Sequence, residues 1–450
     1  MTTKEPDLAH RQGIAAARRV GARLGLTDGC DYQTLYDAYR VTYAYQAPLT
    51  VRIADDMLAD LRADANGSGT DRVVALGRDG HSLSLALRGL LPDFHRRHVS
   101  DVVVSRALAE NALQDLESQG GHFPLVRAYR RVAPRVDPAD TVAGFRVLTE
   151  YLRSRGVPVG VPGSGVTVLD TSFKGTVQEL LAAVYPETTF QGRYAFLAEL
   201  PDDPHPGSKR GYEVHLRAGE TRQGRPFYEL PADESRTFAH VLGINAVEEL
   251  LDGPRTSPVK IGRHGPVQTA QRKRPDLLLG LSRGRISTRL RSLPVREGVK
   301  VVNLWAVSDR ARNAATVRES GGDHRAGLEA DVHRFRSELR AWISGGSTDP
   351  GLREMLDAFV HRSDFRHAEQ LGRALDRARW PEQRTAAIWA GYDHCASDDD
   401  KRVFVQNVLN GIQTGGGTDG RGPRRGTGSE PGRGSDPGVA RDGGDGRDPV

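Results

Sequence analysis

Three short stretches carry the side chains that could do chemistry. In "VVALGRDGHSL" an apolar run ends in Arg78, Asp79, Gly80 and His81. In "DVVVSRAL" a second run ends in Ser105 and Arg106. In "VTVLDTSFKGTVQEL" a third ends in one acid, Asp170, and passes through Thr171, Ser172, Lys174, Gly175 and Thr176 into an amphipathic stretch. Each has the form strand, polar loop, helix. A helix N-terminus presents unpaired N–H groups and a partial positive charge, which suits an anion. Gly175 lets the backbone approach closely, Lys174 adds charge and Thr176 adds a hydroxyl. Asp170 would repel phosphate but suits sugar hydroxyls or a metal-bound water. One loop with both kinds of group fits a sugar phosphate; it also fits a plain capped turn. The first stretch puts a cation and a glycine where a tight turn enters a helix, as a second anion such as pyrophosphate would need, or as any surface turn would have. Arg106 could face the same place.

The elements that must position these residues follow from periodicity. Residues 1–65 read as helical. A β/α rhythm follows, with strands at 72–76, 101–105, 166–170 and 192–200, each followed or preceded by helical spacing. This predicts an α/β fold with a parallel, Rossmann-like sheet over about 66–310, closing with a strand at 299–307. Residues 205–298 read as an irregular insertion, with a hairpin near "GYEVHLRAG…GRPFYEL". Residues 323–412 read as a helical domain, and the glycine-rich tail 413–450 as disordered. In parallel sheets ligands sit at the C-terminal ends of strands, so the three stretches are expected to meet.

At this point a resemblance applies. The pair "VVALGRDGHSLSLALRGL" and "VTVLDTSFKGTVQEL" resembles the type I phosphoribosyltransferases. It implies a phosphoribosyltransferase-like fold and transfer of 5-phosphoribosyl from phosphoribosyl pyrophosphate to a small-molecule acceptor, with Mg²⁺. In that reading Arg78, Gly80 and Arg106 bind pyrophosphate. Thr171, Ser172, Lys174, Gly175 and Thr176 cradle the 5-phosphate. Asp170 holds ribose hydroxyls or a metal-bound water. Asp79 and His81 are the nearest candidates for a base. Thr171 stands where the family has a second acid. Arg- and Gly-heavy composition is similar to that of actinobacterial proteins, so an aminoglycoside or another antibiotic intermediate is an acceptor class, with Glu199, Asp202 and Asp203 as a weak hint of a polycation site. The pattern "RDG…SR…D-x-x-x-x-GT-x-Q" is also similar to a region of haloacid-dehalogenase-like proteins of bacterial polysaccharide loci. A phosphatase of that type, or a non-catalytic nucleotide- or partner-binding protein, is the alternative.

Composition bounds these readings. The chain has 450 residues and a net charge of +5, with 6% aromatics. No basic run is interleaved with aromatics, which argues against nucleic acid. Cys30 and Cys395 lie far apart, as expected for incidental thiols in a cytoplasmic protein. No apolar stretch predicts a signal peptide or a membrane span. DxDx(T/V), GxxxxGK(S/T) and GxSxG are each absent at the strand ends. A homo-oligomer stays open.

Overall fold

In a computed structural model of the protein, residues 4–66, 72–220, 233–270, 286–360, 365–393, 395 and 398–414 are described. Of the expected tail 413–450, the residues from 415 on lie outside them. Three helices come first, α1 (Lys4–Arg23), α2 (Gly29–Ala44) and α3 (Gln46–Asn66). The α/β core then runs β1 (Arg72–Leu76), α4 (Gly80–Leu90), α5 (Pro92–His98), β2 (Val99–Val102), α6 (Arg106–Ser118), α7 (Pro138–Thr141), α8 (Gly144–Ser154), β3 (Gly165–Asp170), α9 (Thr176–Val184), β4 (Thr189–Ala198) and β5 (Lys209–Leu216). Next come α10 (Val241–Leu251) and a two-stranded ribbon of β6 (Ile261–Gly262) and β7 (Gly265–Pro266). The chain continues through α11 (Leu293–Glu319), α12 (His324–Ile343), α13 (Pro350–Phe359), α14 (Phe365–Ala378), α15 (Glu382–Asp393) and α16 (Asp398–Thr414).

The fold is α/β. Five parallel strands stand in the order β2-β1-β3-β4-β5. Both faces are covered, which is why the strands read as continuous apolar runs rather than alternating ones. Along β1, Val73 and Ala75 enter one core and Val74 and Leu76 the other. The first core joins α1–α4 to α10–α13; the second joins the sheet to α6, α8 and α9. A third, smaller cluster around Leu371, Leu375, Tyr392 and Val405 holds α14–α16 together. Each fully buried Val or Leu is worth about 1.5–3 kcal/mol, so strands with all-apolar interiors are fixed firmly and their polar tips are placed with them. Among the described residues no helix is long and apolar enough to cross a membrane.

Three expectations need correction. The stretch 299–307 is not a closing strand. It lies inside α11, a helix of 27 residues whose Val295, Val299, Val302 and Ala306 are buried at helical spacing. A short apolar run is ambiguous between a buried strand and a buried helix, and here the flanking helix decides. The insertion 205–298 is not irregular throughout, because it contains all of β5 and all of α10. "GYEVHL" belongs to β5, which runs parallel to β4 rather than in a hairpin; its expected partner, 224–230, lies outside the described residues. The return from β4 to β5 uses only the loop 199–208, without a helix.

Candidate functional site

The strand order creates the site. From β1 the chain enters α4, whose Leu83, Ala86 and Leu87 pack on one face; from β3 it enters α9, whose Leu180 and Leu181 pack on the other. Two adjacent strands whose helices leave in opposite directions open a crevice at their C-terminal ends. A cavity of ≈ 430 Å³ lies there. Arg78 and Asp79 line it from the β1 end, Ser105 and Arg106 from the β2 end, and Asp170, Ser172, Lys174 and Thr176 from the β3 end. All three stretches therefore converge.

The loop after β3 is held by backbone pairing. Phe196 N donates to the Thr171 carbonyl at 2.8 Å and Ala198 N to that of Phe173 at 2.9 Å, so β4 continues to support the loop past the strand end. Gly175 precedes α9 with φ +67°, and a Cβ there would lie 2.6 Å from Lys209 Cε. Only glycine meets both demands. The peptide bonds Gly77–Arg78 and Ser172–Phe173 are cis, one in each loop.

Behind this loop stands a buried ionic cluster. Lys209 pairs with Glu179, and its Nζ lies 2.7 Å from Asp203 Oδ1; His205 Nδ1 lies 2.7 Å from Glu179 Oε2. Glu179 belongs to the first turn of α9, and Asp203 and His205 to the β4–β5 return. The return loop thus grips the helix whose N-terminus faces the cavity.

No family model, curated protein or solved structure matches the chain. Its geometry and chemistry therefore carry the functional argument.

Sequence reasoning missed one wall of the cavity. Glu248, Glu249 and Asp252 reach it from α10 and its C-terminal cap, Ser257 from the following loop, and Lys300 from α11. The helical spacing of "VLGINAVEELL" was the available signal; the surrounding Pro- and Gly-rich sequence obscured it. Lys300 sat inside the run read as a strand.

Other predicted residues stand beside the cavity rather than on its lining. Gly80 is packed against β3, where a Cβ would come 2.4 Å from the Leu169 carbonyl oxygen; it lets α4 start close to the sheet. Gly175 shapes the helix entry. Thr171 is buried, and its hydroxyl donates to Glu248 Oε1 at 3.2 Å. His81 turns toward the β1–β2 junction: a Cβ on Gly77 would meet its ring at 2.7 Å, and burial lowers its pKa. Glu199 lies 2.8 Å from His215, and Asp203 is committed to Lys209, so neither lines the cavity.

The electrostatics concentrate on three carboxyls. Burial raises Asp79, with Asp252 adding to the shift against the opposing pull of Arg78. Burial raises Asp170 well above the carboxylate range, reinforced by Asp79 and Glu248. Burial, then Asp79, pushes Glu248 up to about 8, against hydrogen bonds from the Ser172 and Thr171 hydroxyls. Mutually repelling acids in a cleft are a mark of functional sites, although structural networks produce the same signature. Asp79 Oδ1 is buried with no hydrogen-bond partner. That orphaned oxygen and the coupled acids fit a divalent cation. Among the described residues no three His, Cys, Asp or Glu side chains form a direct cage, so the fit is to a hard ion such as Mg²⁺, which keeps waters and takes one or two carboxylates plus substrate phosphates.

Proposed function

We propose that the protein is a phosphoribosyltransferase that moves 5-phosphoribosyl from phosphoribosyl pyrophosphate to a small-molecule acceptor. The observation that carries this reading is that one cavity gathers hydroxyls and a cation from the β3–α9 loop, cations from three other elements, and several carboxylates. The β3–α9 loop contributes Ser172, Lys174 and Thr176; the β1 tip, the β2 tip and α11 contribute Arg78, Arg106 and Lys300; Asp170, Asp79 and Glu248 line the same crevice.

In this reading the 5-phosphate rests on the loop 171–176, where the α9 N-terminus and Lys174 favour negative charge. Asp170 accepts from ribose hydroxyls, and Glu248, held by Thr171 and Ser172, supplies a second carboxyl beside it. Displacement breaks the bond from C1 to the pyrophosphate oxygen and forms one to the acceptor. Negative charge grows on the leaving group, where Arg78, Arg106 and Lys300 stabilise it. Mg²⁺, held through Asp79 and Asp170 with waters, would neutralise further charge on the phosphates. Fixing both ends of the substrate supplies orientation. Of the two candidate bases, Asp79 lines the cavity and His81 faces the strand junction. Glu249 on the cavity lining suits a cationic acceptor, of which aminoglycosides are one class.

Thermal unfolding tests the reading. Phosphoribosyl pyrophosphate with Mg²⁺ should raise the Tm, because a ligand bound to the native state stabilises it by mass action. No shift at millimolar ligand rules the proposal out. Release of phosphate from an aryl phosphate, without any response to phosphoribosyl pyrophosphate, would instead favour a phosphatase.

A further inference from the structure

Two cations on the cavity wall share one carboxylate. Arg78 Nη1 donates to Asp252 Oδ2 at 2.8 Å, and Lys300 Nζ donates to Asp252 Oδ1 at 2.6 Å. The three residues come from three elements: the β1–α4 loop, the C-terminal cap of α10 and α11. All three line the cavity, and Asp252 is only 8% exposed. Asp79 stands near, with its Oδ1 4.0 Å from Arg78 Nη2.

We propose that Asp252 is the positioning residue that aims Arg78 and Lys300 into the subsite of the diphosphate leaving group. This rests on the phosphoribosyltransferase reading, whose leaving group would occupy the subsite. Lys and Arg side chains are rotamer-rich and lose much freedom when fixed. A shared buried anchor meets that cost before the ligand arrives, which is the general benefit of preorganisation.

The sign of one substitution decides the matter. Coulomb attraction alone says that removing a carboxylate beside an anion strengthens anion binding. A positioning role says the reverse. Isothermal titration of the full chain in Mg²⁺ buffer, with inorganic pyrophosphate and separately with ribose 5-phosphate, reads both. We expect Lys300→Gln and Asp252→Asn each to weaken pyrophosphate about tenfold, the scale of one charge-assisted hydrogen bond, with ribose 5-phosphate unchanged. Lys300→Arg and Asp252→Glu should recover most of the loss. Circular dichroism melts of each ligand-free variant confirm that it is folded, and if Asp252→Asn is not, the Lys300 pair carries the test. Pyrophosphate binding that is unchanged in Lys300→Gln, or equal or tighter in Asp252→Asn, overturns the proposal. So does a wild-type protein that binds no pyrophosphate. If ribose 5-phosphate and phosphoribosyl pyrophosphate still bind in those cases, the transferase reading survives; if they too fail, it falls as well.

Discussion

Thr171 donates its hydroxyl hydrogen bond to Glu248 across 77 residues of chain. The contact ties the loop after β3 to α10 and brings a carboxyl to a loop that has a hydroxyl of its own. Because Ser172 bonds the same carboxyl, two hydroxyls hold it against the repulsion of Asp79 and the cost of burial.

That arrangement makes stability depend on pH. Glu248 has its folded-state pKa raised from 4.5 to about 8. A raised group contributes its full stability below the unfolded value and loses it as pH rises through the folded value. Stability should therefore fall between pH 4.5 and about 8. Glu248→Gln keeps a hydroxyl acceptor and removes the charge, so it should flatten the profile and raise the Tm above pH 8 by about 2–4 °C for each kcal/mol relieved. Melts across the pH range measure it; parallel profiles for the two proteins would refute the assignment.

Asp170→Asn separates binding from folding. The substitution relieves repulsion from Asp79 and Glu248, so the ligand-free protein should melt no lower than wild type. It should nonetheless lose most of the Tm shift given by phosphoribosyl pyrophosphate and Mg²⁺. An undiminished shift would remove Asp170 from the site.

Gly175→Ala should be costly for a local reason. The residue has φ +67°, and the new Cβ would press on Lys209, whose ammonium is pinned by Glu179 and Asp203. A left-handed alanine costs about 1 kcal/mol and the clash adds to it, for a loss of about 1–3 kcal/mol. Urea unfolding gives the number, and a change within error would mean that the loop relaxes freely.

Lys209→Met tests the brace behind the loop. Removing the ammonium leaves Glu179 buried with His205 as its remaining cationic partner among the described residues, at a cost of about 3–5 kcal/mol. Adding Glu179→Gln should recover part of that loss, as coupled neighbours do in a double-mutant cycle. Additive losses would show that the two residues act separately.

His81→Gln should leave ligand binding within about twofold, a difference of well under 1 kcal/mol, because the ring faces the β1–β2 junction. A loss of turnover with intact binding would return His81 to the list of proton carriers.

Much of this geometry was legible in the sequence, and the rest had identifiable reasons for being hidden. The tips of β1, β2 and β3 could be read because buried parallel strands are short apolar runs and the side chains that follow them are polar. Arg78, Asp79, Arg106, Asp170, Ser172, Lys174 and Thr176 consequently fell where expected, on one cavity. Gly80 and Thr171 could be read as loop residues but not as packing residues, since their neighbours Leu169 and Glu248 are fixed only by tertiary contact. Lys300 was concealed by an apolar run too short to distinguish strand from helix. Glu248 and Asp252 were concealed by distance, because no local pattern states that α10 will lie over the end of β3.

The core that joins α1–α4 to α10–α13 also sets an order of events during synthesis. Tyr39 donates its phenolic hydrogen bond to Asp309, 270 residues later, at 2.8 Å, and Tyr43 is bonded by Asn313 at the same separation. Helices α1–α3 therefore complete the burial of their apolar faces only after α11 has been translated. Long-range closure of this kind slows folding and prolongs the exposure of sticky surface. The nascent chain must remain unaggregated through the whole of the sheet before these helices find their later partner.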